Sequence, residues 1–316
     1  MTLIPAIEAY VSARRALGAD FTAAAKILRS FSRTIGDLDL ETISGKQCEA
    51  FLWGKTRRRF ARERHATLNG FFQYLVGRGY LNRSPLPAPP RQSASNFRPY
   101  VYSHEELKRL LEATDLVVST KRWRMQSQTL RTILLLLYGA GLRVGEALSL
   151  RICDVNLIER VLTICDTKFF KSRLVPIGGQ LSSVLEKYLS MREGLPLLEA
   201  KQSRVFVFRT GKALSYSAVR AAFAQLRTRA GVRRPAVDGC QPRIHDLRGT
   251  FAVHRLVAWY REGANVQVCL PLLSTYLGHS SIAGTQAYLS MIPALLHEAS
   301  LLFERYALPL KENDDV

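Results

Sequence analysis

The chain has 316 residues, a length that predicts about two domains. Hydrophobic residues make up 47% of it, which is enough for a buried core and excludes a disordered protein. The formal net charge of +19 indicates a polyanionic partner, for which nucleic acid is a simpler explanation than an anionic membrane surface. No membrane span is expected, because the longest apolar stretch, residues 133–142, is about half of the roughly 20 residues required.

The cysteines and the first ten residues point to the cytoplasm. Five cysteines are widely spaced without a C-x-x-C pair, so neither a zinc knuckle nor a disulfide framework is expected. They are predicted to be reduced and mostly buried. Residues 1–10 have no basic segment and include the acid Glu8, which argues against a signal peptide.

Residues 83–99 have the composition of a linker. They contain five prolines and no acid. We therefore predict a helical N-terminal domain over residues 1–85, a linker over 86–99 and a larger domain over 100–316.

Apolar residues recur at helical spacing in the N-terminal domain, for example at Leu68, Phe71, Phe72 and Leu75. Between its helices lies a run rich in cations, which could neutralise several phosphates. A solvated helix face is the alternative. The candidate DNA-binding residues of this run are Lys55, Arg57, Arg58, Arg59, Arg62 and Arg64.

The larger domain is predicted to be mainly helical with a small antiparallel hairpin. Ser103 and Glu106 resemble a capping box, and an apolar helix through residues 134–137 ends at Gly139. Pro271 is expected to interrupt a later helix. The hairpin is predicted from residues 161–165 and 174–177. Further helices are expected at about 180–192, 215–230, 245–261 and 293–306.

Cleaving a DNA strand without a metal requires a nucleophile, cations for the phosphate oxygens, a base and an acid. Arg143 follows a glycine turn and suits a bidentate phosphate contact, and Glu146 could hold it in place. His245 and Arg248 stand three residues apart, which places a proton-transfer group and a second cation on one helix face.

Three further candidates complete this set. His279 follows a glycine and could donate to the phosphate. Tyr288, nine residues later, carries a phenol that is a poor nucleophile until cations and a base assist it. Lys168 lies in the turn of the predicted hairpin, beside the basic residues Lys171 and Arg173, which are candidates for DNA contact.

Each of these features is weak alone, but their order and spacing are specific. G-L-R-x-G-E, T-K-x-x-K-x-R-x-V-P, H-D-L-R and L-G-H-S-S with a tyrosine nine residues on resemble the tyrosine recombinase (phage integrase) family. The resemblance covers about 100–300, and the N-terminal helices resemble the family's core-binding domain. Gly249, Phe169 and Pro271 depart from its usual pattern.

The resemblance implies a site-specific DNA recombinase that forms a 3′-phosphotyrosine intermediate without metal, ATP or another cofactor. Arg143 and Arg248 match the phosphate-binding arginines, and Tyr288 matches the nucleophile. Lys168 matches the general acid, with Lys171 as a fallback. His245 and His279 match the two remaining catalytic positions.

The implied partner is double-stranded DNA, bound by a homotetramer that joins two sites. The C-terminal helix would dock on a neighbouring protomer or pack on its own domain, and the protein would associate with the bacterial nucleoid when bound to DNA. Two alternatives stay open at this point: a type IB topoisomerase with the same chemistry, and a non-catalytic DNA-binding protein.

Overall fold

The computed structural model describes most of the chain, with backbone alone at 58–59, 116–117, 166–167 and 171. The described residues are 1–19, 21–54, 58–89, 99–117, 125–167, 171–196, 199–235, 240–279, 281–286, 288 and 301. The chain divides into two compact units, formed mainly by residues 1–96 and by residues from 97 onward. Among the described helices, none combines the length and apolar character of a membrane span.

The described part of the N-terminal unit has four α-helices around one apolar core. Its helices are α1 (Leu3–Ala16), α2 (Thr22–Ile35), α3 (Gly45–Trp53) and α4 (Arg58–Gly77). Phe31 and Phe72 meet edge to face within the core, with ring centroids 6.3 Å apart. The predicted helical positions Leu68, Phe71 and Leu75 are fully buried, which explains the helical spacing of the apolar residues.

The start of the predicted linker is anchored to this unit. A ring nitrogen of His65 lies 2.9 Å from the carbonyl oxygen of Pro87. Leu86 packs against the core. Residues 90–98 lie outside the described residues, so the linker's bounds stay a prediction.

The described part of the second unit is mostly helical with a small antiparallel sheet, in agreement with the predicted fold class. Strands β1 (Val155–Asn156), β2 (Val161–Thr167) and β3 (Lys171–Pro176) follow one another in the sheet. Val155 pairs with Leu162, and Asn156 with Val161. The helices are α5 (His104–Glu112), α6 (Thr114–Val117), α7 (Ser127–Gly139), α8 (Val144–Ser149), α9 (Gly179–Glu193), α10 (Tyr216–Arg229), α11 (Asp246–Arg261), α12 (Val266–Leu277) and α13 (Ala283–Gln286).

Local sequence patterns correctly predicted where several of these helices begin or end. The capping box of α5 forms, with Ser103 and Glu106 each bonded to the other's backbone N–H. Helix α7 is buried along most of its length, packs against α9 and α11, and ends at Gly139 as predicted. The helix expected at 293–306 lies outside the described residues, apart from residue 301.

Pro271 does not interrupt its helix, contrary to the prediction. Helix α12 runs from Val266 through Pro271 to Leu277. The missing N–H would have bonded the carbonyl of Gln267, and both residues are exposed, so water can satisfy that carbonyl.

The prediction of mostly buried cysteines is also wrong, although none of the five, all of which the structure describes, forms a disulfide. Cys48 is buried, Cys269 is half-buried, and Cys153, Cys165 and Cys240 are exposed. The position of Cys165 follows from strand alternation: Leu162 and Ile164 of β2 face the core, so Cys165 points outward.

Candidate active site

Four charged side chains from three elements meet beside the first turn of α8; we call Arg143, Glu146, Arg173 and Arg248 the arginine cluster. The chain leaves α7 through Gly141, whose φ of +59° suits glycine. Arg143 then caps α8, and its backbone N–H donates to Glu146 Oε2 over 2.9 Å. Its Nη1 donates to Oε1 over 2.7 Å, so Glu146 does hold Arg143 in place.

The other two arginines reach the same carboxylate. Arg173 of β3 donates from Nη1 and Nη2 to the two oxygens of Glu146, over 3.0 and 2.9 Å. The Nη1 of Arg248, on α11, lies 3.8 Å from Glu146 Oε2. Arg248 is only 2% exposed and donates to the carbonyls of Gly141 and Leu277, over 2.7 and 2.6 Å.

The cluster stays ionised because its charges compensate one another. Burial by itself raises the pKa of Glu146, but hydrogen bonds from Arg173 and Arg143 outweigh this and bring it to about 2. Burial and the neighbouring Arg143 lower the pKa of Arg248 to about 10, which still leaves it charged at neutral pH. Three guanidiniums around one carboxylate leave an excess of positive charge that suits a phosphate.

His279 and Tyr288 lie beside this cluster. Arg143 Nη2 donates to the carbonyl of Gly278, over 2.8 Å, directly before His279. A ring nitrogen of His279 lies 2.7 Å from Thr285 Oγ1, and the His279 and Tyr288 ring centroids are 6.3 Å apart. Burial, with Arg248 and Arg143 adding to it, lowers the pKa of His279 to about 4, so its imidazole is neutral at pH 7.

The phenol of Tyr288 is half-buried against the core between α11 and α12. Burial raises its pKa, while the guanidiniums of Arg248 and Arg143 act in the opposite direction. A Cβ at Gly249 would lie 3.5 Å from Tyr288 Cε1, so the glycine that departs from the family pattern stands directly beside this ring.

His245 is the N-cap of α11 and lies close enough to Arg248 and Arg143 to be affected by their charges. Partial desolvation lowers its pKa, and the positive charges of Arg248 and Arg243 lower it further. The ring is therefore neutral at pH 7 and able to accept a proton. The structure thus brings Arg143, Arg248, His279, Tyr288 and His245 into one region of the second unit.

Several predicted site residues are not among the groups that the structure brings together here. Lys168, the predicted acid, lies outside the described residues, as do Lys55 and Arg57. Lys171, Arg58 and Arg59 are described by backbone alone, and Arg62 is exposed on α4. Arg64 donates to the carbonyl of Phe51 over 2.7 Å and lies over its ring, so it links α4 to α3.

The role of Arg173 within the cluster was missed, because the basic K-x-x-K-x-R run favoured DNA contact. Its side chain is only 14% exposed. A signal was present in the sequence: Arg173 lies two and four residues before the apolar Val175 and Ile177, and strand alternation places such residues on one face. Both apolar residues are buried in the structure.

The comparisons with known proteins assign the family. The phage integrase family model matches residues 101–293. The chain is 34% identical over 313 residues to the putative integrase/recombinase y4rB of Sinorhizobium fredii (strain NBRC 101917 / NGR234), covering 96% of this chain and 98% of that protein. This chain belongs to the phage integrase family.

A further relative and a solved structure also match the chain. Tyrosine recombinase XerC of Thermodesulfovibrio yellowstonii (strain ATCC 51303 / DSM 11347 / YP87) is 30% identical over 249 residues, which is 78% of this chain and 75% of XerC. The Tn1549 transposon integrase, solved in complex with a circular intermediate DNA, shares the fold with a TM-score of 0.67 at 14% identity, over 97% of this chain and 99% of that one.

As a phage integrase family member, the protein is a site-specific tyrosine recombinase, an enzyme that breaks and rejoins DNA strands. Both relatives, y4rB and XerC, are named integrases or recombinases, which favours recombination over topoisomerase-like relaxation.

Proposed function

We propose that Tyr288 attacks the scissile phosphate of double-stranded DNA, forming a 3′-phosphotyrosine and releasing a 5′-hydroxyl. The convergence of Arg143, Arg248 and His279 beside the Tyr288 ring carries this proposal. The phosphotyrosine conserves the energy of the phosphodiester, so the released hydroxyl of another strand can attack it without ATP.

The remaining groups take complementary roles. Arg143 is 38% exposed, so its outer N–H groups can bind a non-bridging oxygen of the phosphate. Arg248, which is buried, adds positive charge to the site. Neutral His245 accepts the proton of the phenol, and His279 donates to the phosphate. Lys168, or Lys171 in its place, protonates the leaving oxygen.

The N-terminal domain, over residues 1–85, is proposed to hold the DNA. The exposed Arg62 at the start of α4 supports a phosphate contact there, together with the run of neighbouring cations in the sequence. We also propose that the protein acts on a mobile genetic element and works in the cytoplasm at the nucleoid.

The test is covalent capture of DNA. DNA that copurifies with the protein is sequenced to define the site, and a nicked duplex of that site, which loses its short cleaved end, is incubated with the enzyme. A DNA–protein adduct on a denaturing gel is expected, with the phosphotyrosyl peptide identified by mass spectrometry. The absence of any adduct would refute the proposal.

We further propose a homotetramer on two DNA sites. Its support is an exposed apolar strip on α12, where Val268 and Leu272 are 62% and 65% exposed. Beside the strip lies a cavity of about 290 Å³ lined by Phe251, Trp259 and Tyr276. Leu295, Leu296, Leu302 and Phe303 of a neighbour's C-terminal segment have the apolar character to fill it.

Replacing Leu272 with Asp tests this association. The variant is expected to bind one DNA site normally but not to form the four-protomer complex on two sites, because a charge would be buried at the contact. Light scattering of the protein–DNA complexes measures the stoichiometry. Ile158→Asp, at an equally apolar residue that is 92% exposed in the turn between β1 and β2, is the matched control. A normal tetramer of Leu272→Asp would remove α12 from the interface.

A further inference from the structure

All three guanidinium nitrogens of Arg173 donate hydrogen bonds inside the protein. Its Nη1 and Nη2 donate to the two oxygens of Glu146, and its Nε donates to the carbonyl of Tyr276 over 2.9 Å. At 14% side-chain exposure it has little surface to offer to DNA. It therefore joins β3 to the first turn of α8 and to the end of α12.

These bonds determine how Glu146 and Arg143 meet. Glu146 accepts four hydrogen bonds, two from Arg143 and two from Arg173. A carboxylate has about four lone-pair sites, so the carboxylate is saturated. Arg143 consequently gives the carboxylate only one side-chain nitrogen, and its outer edge stays available for a phosphate oxygen. Without Arg173, the free lone pairs would favour a two-nitrogen pairing that withdraws Arg143 from the phosphate.

Gly278 supplies an independent observation. A Cβ at this position would lie 2.8 Å from Nη1 of Arg173, closer than real Cβ atoms approach, and 3.0 Å from its central carbon. Gly278 also accepts from Arg143 through its carbonyl and directly precedes His279. The backbone before His279 is thus packed directly onto the Arg173 guanidinium.

We propose that Arg173 is a positioning residue for strand cleavage: it saturates Glu146 and supports Gly278, so that Arg143 and His279 face the scissile phosphate. This inference rests on the phosphate-binding role proposed above for Arg143. It assigns Arg173 a function inside the site in place of the DNA contact expected from the sequence.

The experiment compares single-turnover cleavage of two nicked duplexes. One carries a normal scissile phosphate, and the other a methylphosphonate in which a methyl group replaces one charged non-bridging oxygen. Arg173→Met, Arg173→Lys and Arg143→Met are measured beside the wild-type enzyme. Arg131→Met is the matched control, because Arg131 also bonds a backbone carbonyl, that of Leu111, but belongs to a different part of the unit.

Arg173→Met is expected to cleave the phosphate about 10²-fold more slowly, approaching the loss of a direct donor. Arg173→Lys, which keeps the charge but not the forked geometry, should fall between it and the wild type. The methylphosphonate lacks the charge that Arg143 stabilises, so the defects of Arg143→Met and Arg173→Met should shrink together. Rate constants are compared, since these do not depend on the folded fraction, and Arg131→Met should match the wild type on both duplexes.

Two results would overturn the inference: a wild-type rate for Arg173→Met, or a defect of equal size on both duplexes, which would mean a merely structural role. If Arg173→Met does not fold, the same two criteria apply to Arg173→Lys. A normal rate for Arg143→Met would instead refute the proposed role of Arg143, so the two failures are distinguishable.

Discussion

The Tyr288→Phe protein is expected to bind its DNA site like the wild type and to form no detectable covalent adduct. The substitution removes one oxygen and keeps the ring that packs beside His279 and Gly249. The phenol is the nucleophile of the proposed reaction, and none of the cluster's cations can replace it. The adduct is measured on a denaturing gel, and binding by mobility shift on the same duplex.

Tyr260→Phe is the matched control for this experiment. Tyr260 packs against the same core between α11 and α12 as Tyr288, so it reports the cost of losing a half-buried hydroxyl there. The control is expected to form the adduct at the wild-type rate. If the adduct persisted in Tyr288→Phe, another residue would be the nucleophile and the proposed mechanism would fail.

Glu146→Gln is expected to destabilise the second unit by about 3–5 kcal/mol, the usual cost of removing one partner of a buried ion pair. Glu146 is 8% exposed, and its charge compensates Arg143, Arg173 and Arg248. The neutral amide keeps the shape but leaves three guanidiniums without a counter-charge. The free energy of unfolding is measured by urea titration at pH 7.

Lowering the pH should remove the stabilisation by the Glu146 carboxylate from the wild-type protein. The folded pKa of Glu146, about 2, lies below its ordinary value of 4.5. The carboxylate therefore stabilises the fold fully above about pH 4.5, and this stability is lost as the pH falls toward 2. The difference in unfolding free energy between the wild type and Glu146→Gln should shrink over this range. A difference that stays constant from pH 5 to pH 3 would contradict the assignment.

Asp154→Asn supplies a matched control for the variant. Asp154 accepts from the backbone N–H of Arg151 over 2.9 Å, the same capping contact that Glu146 makes with Arg143, but outside the arginine cluster. Its replacement should cost less than about 1 kcal/mol, the usual cost of losing a cap outright, because the amide oxygen of Asn can still accept this hydrogen bond. An equal loss for both variants would mean that Glu146 acts only as a helix cap.

Local interactions explain what the sequence alone was able to determine. The end of α7 at Gly139, the capping box at Ser103 and the hairpin strands depend on neighbours a few residues apart. The ordered motifs that contain Arg143, His245 and Tyr288 likewise identified the family before any contact was known. These features are encoded by spacing, which a linear sequence displays directly.

Only the tertiary structure decided how the charged groups pair. Arg173 meets Glu146 across 27 residues of sequence, and Arg143 meets Gly278 across 135. Such partners depend on how β3, α8 and α12 pack, which no local pattern specifies. Tertiary packing likewise left Pro271 and Cys165 exposed, which is why the predictions of a helix break and of a buried cysteine were wrong. Solvent reaches a given face of a helix or strand only where packing leaves that face uncovered. Arg173, which the basic motif predicted to contact DNA, is therefore largely covered and supports the site from within.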